Sequence, residues 1–214
     1  MDKFIRQRDV LPQDKLAALD VTIIGCGAVG SFTCFTLAKM GVSNITIYDG
    51  DIVAEHNLPN QLFNFEQVGI PKVDAIANTV YYQAQVDLNA IPHHYTREPL
   101  SGLVICCVDT MDTRLEIWRE VKKYNPDLYI DARMGAEVGK ILVVQPSDPN
   151  SRRKYEEDLY PSSEAFHAPC TAKATVYCAA GLAAYICSMV AGYVNGRKVD
   201  GMVVDWVNRT VVGV

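Results

Sequence analysis

VTIIGCGAVGSFTCFTLAKMGVSNITIYDGDIVAEHNLPNQ, residues 21 to 61, decides the fold of this chain. Val21 to Ile24 is a short β-branched run, the composition of a strand. Gly25-Cys26-Gly27-Ala28-Val29-Gly30 follows it with the spacing G-x-G-x-x-G, and an apolar-periodic segment (Val29, Phe32, Leu37) then runs to Gly41. A second strand, Ile45 to Tyr48, ends in Asp49. This is a βαβ unit whose glycine turn feeds a helix N-terminus, where free backbone N–H groups and the helix dipole favour phosphate. Asp49 lies about 20 residues past the glycines, where a carboxylate can bond a ribose hydroxyl. The pattern predicts a nucleotide site.

Working outward, Gly69-Ile70-Pro71-Lys72 opens a helix with Pro71 at its first position, continued by Val73, Ile76, Ala77 and Val80. Leu88 to Ile91 reads as a weak strand, and Leu103 to Val108 as a strand buried on both faces, ending at Asp109. A helix over residues 112–124 and strands at 128–130 and 140–144 follow. The alternation predicts an α/β fold of Rossmann-like type, a mostly parallel sheet with flanking helices. Residues 1–20 read as a helical lead-in, residues 146–170 as a polar, mobile surface crossover, and residues 202–207 and 210–214 as a terminal hairpin. A single domain over 1–214 accounts for all of these.

The segment from Ala174 to Val194 carries no charge and is long enough to span a bilayer. Its richness in Ala, Gly, Cys and Tyr reads instead as a buried core or interface helix, and no membrane partner is expected. With a net charge of -5, the chain offers no basic field for nucleic acid. The N-terminal MDKFIRQRDV lacks an apolar signal-type core. Seven scattered cysteines with no C-x-x-C pair read as reduced thiols in a cytoplasmic setting, without a structural zinc.

The glycine loop, Asp49 with Asp51, the box Asn57-Leu58-Pro59-Asn60-Gln61, Pro71-Lys72 and Asp109 occur in one order and spacing. As a set they resemble the ThiF/MoeB/HesA family of ubiquitin-activating-type adenylyltransferases, from roughly Arg6 to the last helix. The resemblance implies ATP-dependent adenylation of the C-terminal glycine carboxylate of a ubiquitin-like or sulfur-carrier protein, with magnesium, by a homodimer. On it, Gly25, Gly27 and Gly30 admit the phosphates, and Asp49 binds ribose, with Asp51 completing a D-x-D pattern. Asn57, Asn60 and Gln61 line the nucleotide, Lys72 contacts phosphate, and Asp109 holds magnesium. Arg6 enters the partner subunit's site, and Arg114 orients Asp109. The family usually places an arginine at position 60, where this chain has Asn60. Cys170, in Pro169-Cys170-Thr171-Ala172-Lys173, stands where some relatives carry a reactive cysteine, and a helix N-terminus with a nearby lysine would lower its pKa. It is the candidate acceptor for a thioester. Arg133 is a candidate for lining the channel of the substrate's tail.

Two other readings compete. A nicotinamide-dependent oxidoreductase uses the same glycine fingerprint but leaves Asn57 to Gln61, Lys72 and Asp109 idle. A catalytically inert dimer partner would explain Asn60.

Overall fold

Nucleotide-binding loops need a rigid strand on one side and a helix on the other, and the computed structural model, which describes residues 3–164 and 174–214, supplies both. A short α1 (Gln13–Ala17) leads into β1 (Asp20–Ile24), α2 (Ala28–Met40), β2 (Asn44–Tyr48), α3 (Lys72–Ala84) and β3 (Asn89–Ile91). Then come β4 (Leu103–Cys106), α4 (Met111–Tyr124), β5 (Leu128–Gly135), β6 (Val138–Val144), α5 (Pro149–Glu157), α6 (Val176–Val194), β7 (Met202–Asp205) and β8 (Thr210–Gly213). The strands form one mostly parallel sheet in the order β3-β2-β1-β4-β5-β6-β7-β8. Pairing is parallel from β3 through β5 and antiparallel from β5 to β8.

Alternation along the central strands sends side chains to two cores. Val21, Ile23, Leu103, Ile105, Leu128 and Ile130 pack with α2, α3 and α6, whereas Ile24, Val104, Cys106 and Tyr129 pack with α4 and α5. The uncharged α6 is a core helix on one side, burying Cys178, Leu182, Ile186 and Val190 against α2 and the β5–β6 hairpin. Cys26, Cys34, Cys106, Cys178 and Cys187 are buried thiols, as expected of packing residues.

Four local readings are revised. The lead-in is a series of turns over residues 3–10 followed by the five-residue α1, because only Leu16 among its apolar residues is fully buried. The strands at 128–130 and 140–144 are longer, extending to Gly135 and back to Val138, and they meet as an antiparallel hairpin. Pro71 is the N-cap of α3 and Lys72 its first residue. The crossover contains a helix: Asp148 caps α5 by accepting from the N–H of Asn150, and Tyr155 anchors α5 in the core.

Candidate functional site

Because β1 leads into α2 on one face of the sheet and β4 into α4 on the other, the carboxyl ends of β1 and β4 flank a topological switch point. Open α/β sheets bind ligands there. The glycine loop lies at that point. Gly25 has φ 99° and a Cβ on it would stand 2.7 Å from the Cys107 carbonyl oxygen, so only glycine lets the loop touch the turn after β4. A Cβ on Gly30 would overlap the Gly25 carbonyl, which makes that glycine a packing requirement between loop and helix. Gly27 is different: a Cβ there would meet nothing within 4 Å. Among the described residues its bareness serves no contact, and it leaves backbone open at the first turn of α2. No side chain caps that helix end, so its leading N–H groups and dipole face outward.

Asp49 closes the loop from the other side. One carboxylate oxygen accepts from the Cys26 N–H at 2.6 Å and the other from the Asp51 N–H at 2.8 Å, with the residue buried. Asp51 in turn bonds the Lys72 amine at 2.7 Å, and its carbonyl accepts from the Lys72 N–H at 2.9 Å. The hydrogen bond from Lys72 holds the Asp51 carboxyl below the usual carboxylate range. The Lys72 stem is buried, while Asp51 is half exposed. The Cys26 thiol lies 3.7 Å from the Lys72 carbonyl, so the first turn of α3 also abuts the glycine loop. Burial pushes the Cys26 and Cys107 thiols well above their ordinary pKa, leaving both protonated and inert at neutral pH.

The Asn57–Gln61 box is tied to the same helix. Asn57 is buried and accepts from the Ala54 N–H at 2.9 Å, and the N–H groups of Asn60 and Gln61 both bond the Asn57 carbonyl. Ser31 on α2 then accepts from the Leu62 N–H at 3.1 Å. Among the described residues the buried side-chain oxygens of Asn60 and Gln61 have no partner. Buried acceptors of this kind await a donor, such as a nucleotide's hydroxyl or amino group.

Asp109 stands exposed just before α4. Thr110 caps that helix, accepting from the Thr113 N–H at 3.2 Å. Among the described residues no hydrogen bond or ion pair engages the Asp109 carboxylate. Its turn is held from below by Arg114, which is buried and donates to the carbonyls of Val108 and, at 2.9 Å, Ala132. Arg114 also pairs with the fully buried Asp131, whose second oxygen accepts from Arg133 Nε at 2.8 Å and the Tyr155 hydroxyl at 3.0 Å. Burial opposes the charge on Arg114, and Asp131 beside it more than restores it. Sequence reasoning missed this Asp131–Tyr155 arrangement. Arg133 is drawn into it, bonding the Asp158 carbonyl at 2.9 Å, and is largely buried.

Arg6 is brought nowhere near the loop of its own chain. Its neighbour Gln7 donates to the carbonyls of Lys39 at 3.0 Å and Met40 at 3.4 Å, at the far end of α2 from the glycines. The thirteen residues of α2 separate those ends by about 20 Å. Cys170 and Lys173 lie outside the described residues.

Among the described residues no three His, Cys, Asp or Glu side chains group closely enough to hold a metal alone. Magnesium does not require such a cage; it binds through one or two carboxylates together with phosphate and water, which Asp109 fits. Asp49 and Asp51 follow β2, Asp109 follows β4, and Lys72 is already paired with Asp51, so a triphosphate at this edge of the sheet gains from further positive charge. Cavities of about 400 Å³ at the amino ends of β1 and β4 and about 240 Å³ between α5 and β6 do not touch the loop.

Known proteins share the sequence family and the fold. The model of the ThiF family matches residues 3–199. The "Ubiquitin-like modifier-activating enzyme 5" of Drosophila persimilis is 27% identical over 138 residues, covering 55% of this chain and 35% of that protein. The "Adenylyltransferase and sulfurtransferase MOCS3-2" of Zea mays is 30% identical over 140 residues, covering 61% of this chain and 29% of that one. The chain thus spans about a third of the length of these relatives. A crystal structure of E. coli MccB with ATP superposes with a TM-score of 0.78 at 16% identity, covering all of this chain and 71% of that one.

Proposed function

The chain belongs to the ThiF family, and from that premise we propose that it uses ATP to adenylate the C-terminal carboxylate of a protein or peptide, a ubiquitin-like or sulfur-carrier protein ending in glycine. In this reading a carboxylate oxygen attacks the α-phosphorus, pyrophosphate leaves, and an acyl adenylate forms. The observation that carries it is Gly27. A loop glycine bare toward open space, between an uncapped helix N-terminus and the Asp51–Lys72 pair, suits phosphate approaching backbone.

The residues divide the work. The α2 amides and Lys72 hold phosphate, Asp49 and the acceptors of Asn60 and Gln61 hold the nucleoside, and Asp109 holds magnesium. Magnesium, when bound, neutralises charge on the phosphates. The excess of carboxylates over lysine supports a second source of positive charge, and we assign it to Arg6 of a second copy in a homodimer. An oxidoreductase would leave Lys72, Asp109 and the Asn57 box without work.

The test is pyrophosphate release from ATP and magnesium, with a ubiquitin-like protein ending in Gly-Gly and its form lacking the last glycine. Release with the first and not the second is expected, together with gain of AMP on the carrier. ATP binding without release from any glycine-terminated carrier would leave the inert-partner reading standing instead.

A further inference from the structure

The chain after β3 returns to the edge of the sheet that carries the glycine loop. Asp49 donates its N–H to the Ile91 carbonyl at 3.3 Å, so the loop over 92–99 leaves the sheet directly beside the β2 carboxyl end. Glu98 fixes this loop: its carboxylate accepts from the N–H groups of Thr96 and Arg97, both at 3.0 Å, and its carbonyl accepts from the Tyr95 hydroxyl at 2.7 Å. Tyr48, the residue before Asp49, meets the rings of His93 and Tyr95 edge-on at centroid distances of 6.0 and 5.4 Å. His94 is thereby laid over Gly50, between the two aspartates of the D-x-D pattern. A Cβ on Gly50 would stand 2.8, 2.9 and 3.0 Å from ring atoms Cδ2, Nε2 and Cε1. The rest of the ring is exposed to solvent.

A ribose held by Asp49, with its phosphates on the glycine loop, directs its base away from that loop, toward Gly50 and the segment beyond β3. An exposed, loop-anchored aromatic ring stands there. We propose that His94 is a base-binding residue of the nucleotide site, the platform on which the base of the bound nucleotide stacks, with Gly50 bare so that the ring can lie against the backbone. The proposal rests on the nucleotide reading of the site.

Calorimetry on the full chain with magnesium tests it, using ATP and inorganic triphosphate as probes. His94→Ala should weaken ATP about tenfold, the loss typical of a base–aromatic stack, and leave triphosphate unchanged. His94→Phe should restore ATP binding. Gly50→Ala, whose new methyl displaces the ring, should weaken ATP in the natural chain and add nothing on top of His94→Ala. Equal ATP affinity in His94→Ala, or equal losses for ATP and triphosphate, would overturn the platform while leaving the nucleotide site intact. A natural chain that binds neither probe would overturn the site reading and the platform with it.

Discussion

The amine of Lys72 sits 2.7 Å from the Asp51 carboxylate, with the lysine buried and the aspartate half in water. The ion pair carries no net charge, and it sits at the first turn of α3, which abuts the glycine loop. Lys72→Met should weaken inorganic triphosphate tenfold or more, the order expected for losing a charged hydrogen bond. Stability should fall by less than about 1 kcal/mol, because the freed Asp51 is solvated. Because the Asp51 pKa is depressed when folded, the pair stabilises the fold at neutral pH. That contribution disappears as pH falls through the depressed value, below about 4. Urea titrations of natural and Lys72→Met chains should therefore converge in acid.

The three loop glycines should separate by experiment. Gly25→Ala and Gly30→Ala force a methyl onto backbone atoms and should lower stability by about 1–3 kcal/mol or more. Gly27→Ala should melt like the natural chain yet bind ATP poorly. Normal ATP affinity in Gly27→Ala would mean that no ligand approaches there.

Asp109 makes no bond among the described residues, so Asp109→Ala should leave the melting temperature unchanged. Adenylation should fall 100-fold or more, in line with about 3 kcal/mol for one preorganised charge. Pyrophosphate exchange at natural rates would remove Asp109 from the reaction.

Asp131 holds two arginines and a tyrosine hydroxyl away from water. Asp131→Ala strands both guanidinium groups and should cost about 3–5 kcal/mol in urea unfolding. A loss below about 1 kcal/mol would show that the charges are satisfied by other means.

Arg6 and Asp109 should complement between subunits. Each of Arg6→Ala and Asp109→Ala is expected to be inactive alone. Mixed and re-associated, they should recover roughly a quarter of the natural sites, since half the dimers are hybrid and each hybrid holds one complete site. No recovery on mixing would place Arg6 outside the active site.

Much of this arrangement was legible in the sequence because its signals are local. Gly25, Gly27 and Gly30 announce a turn, Ile45 to Tyr48 a strand, and Leu103 to Cys106 a strand with apolar side chains on both faces. What escaped depends on contacts distant in the chain. Asp131 looks like the end of a strand until Arg114 and Tyr155 arrive from two helices. The polar α5 shows no apolar period because it buries a single side chain, Tyr155. The β5–β6 hairpin hid its length because Arg133, Glu137 and Lys140 interrupt the apolar pattern. Nothing within Arg6-Gln7 reveals that Gln7 fastens the segment to the wrong end of α2 for action in its own chain.

The strand order has a consequence for synthesis. β1 is made first, β2 and β3 add in turn along one side of it, and β4 through β8 add in turn along the other. No strand is inserted between two that already pair. As the chain leaves the ribosome, each newly made strand meets an open edge of the sheet already formed, so assembly can keep pace with translation without undoing earlier pairing.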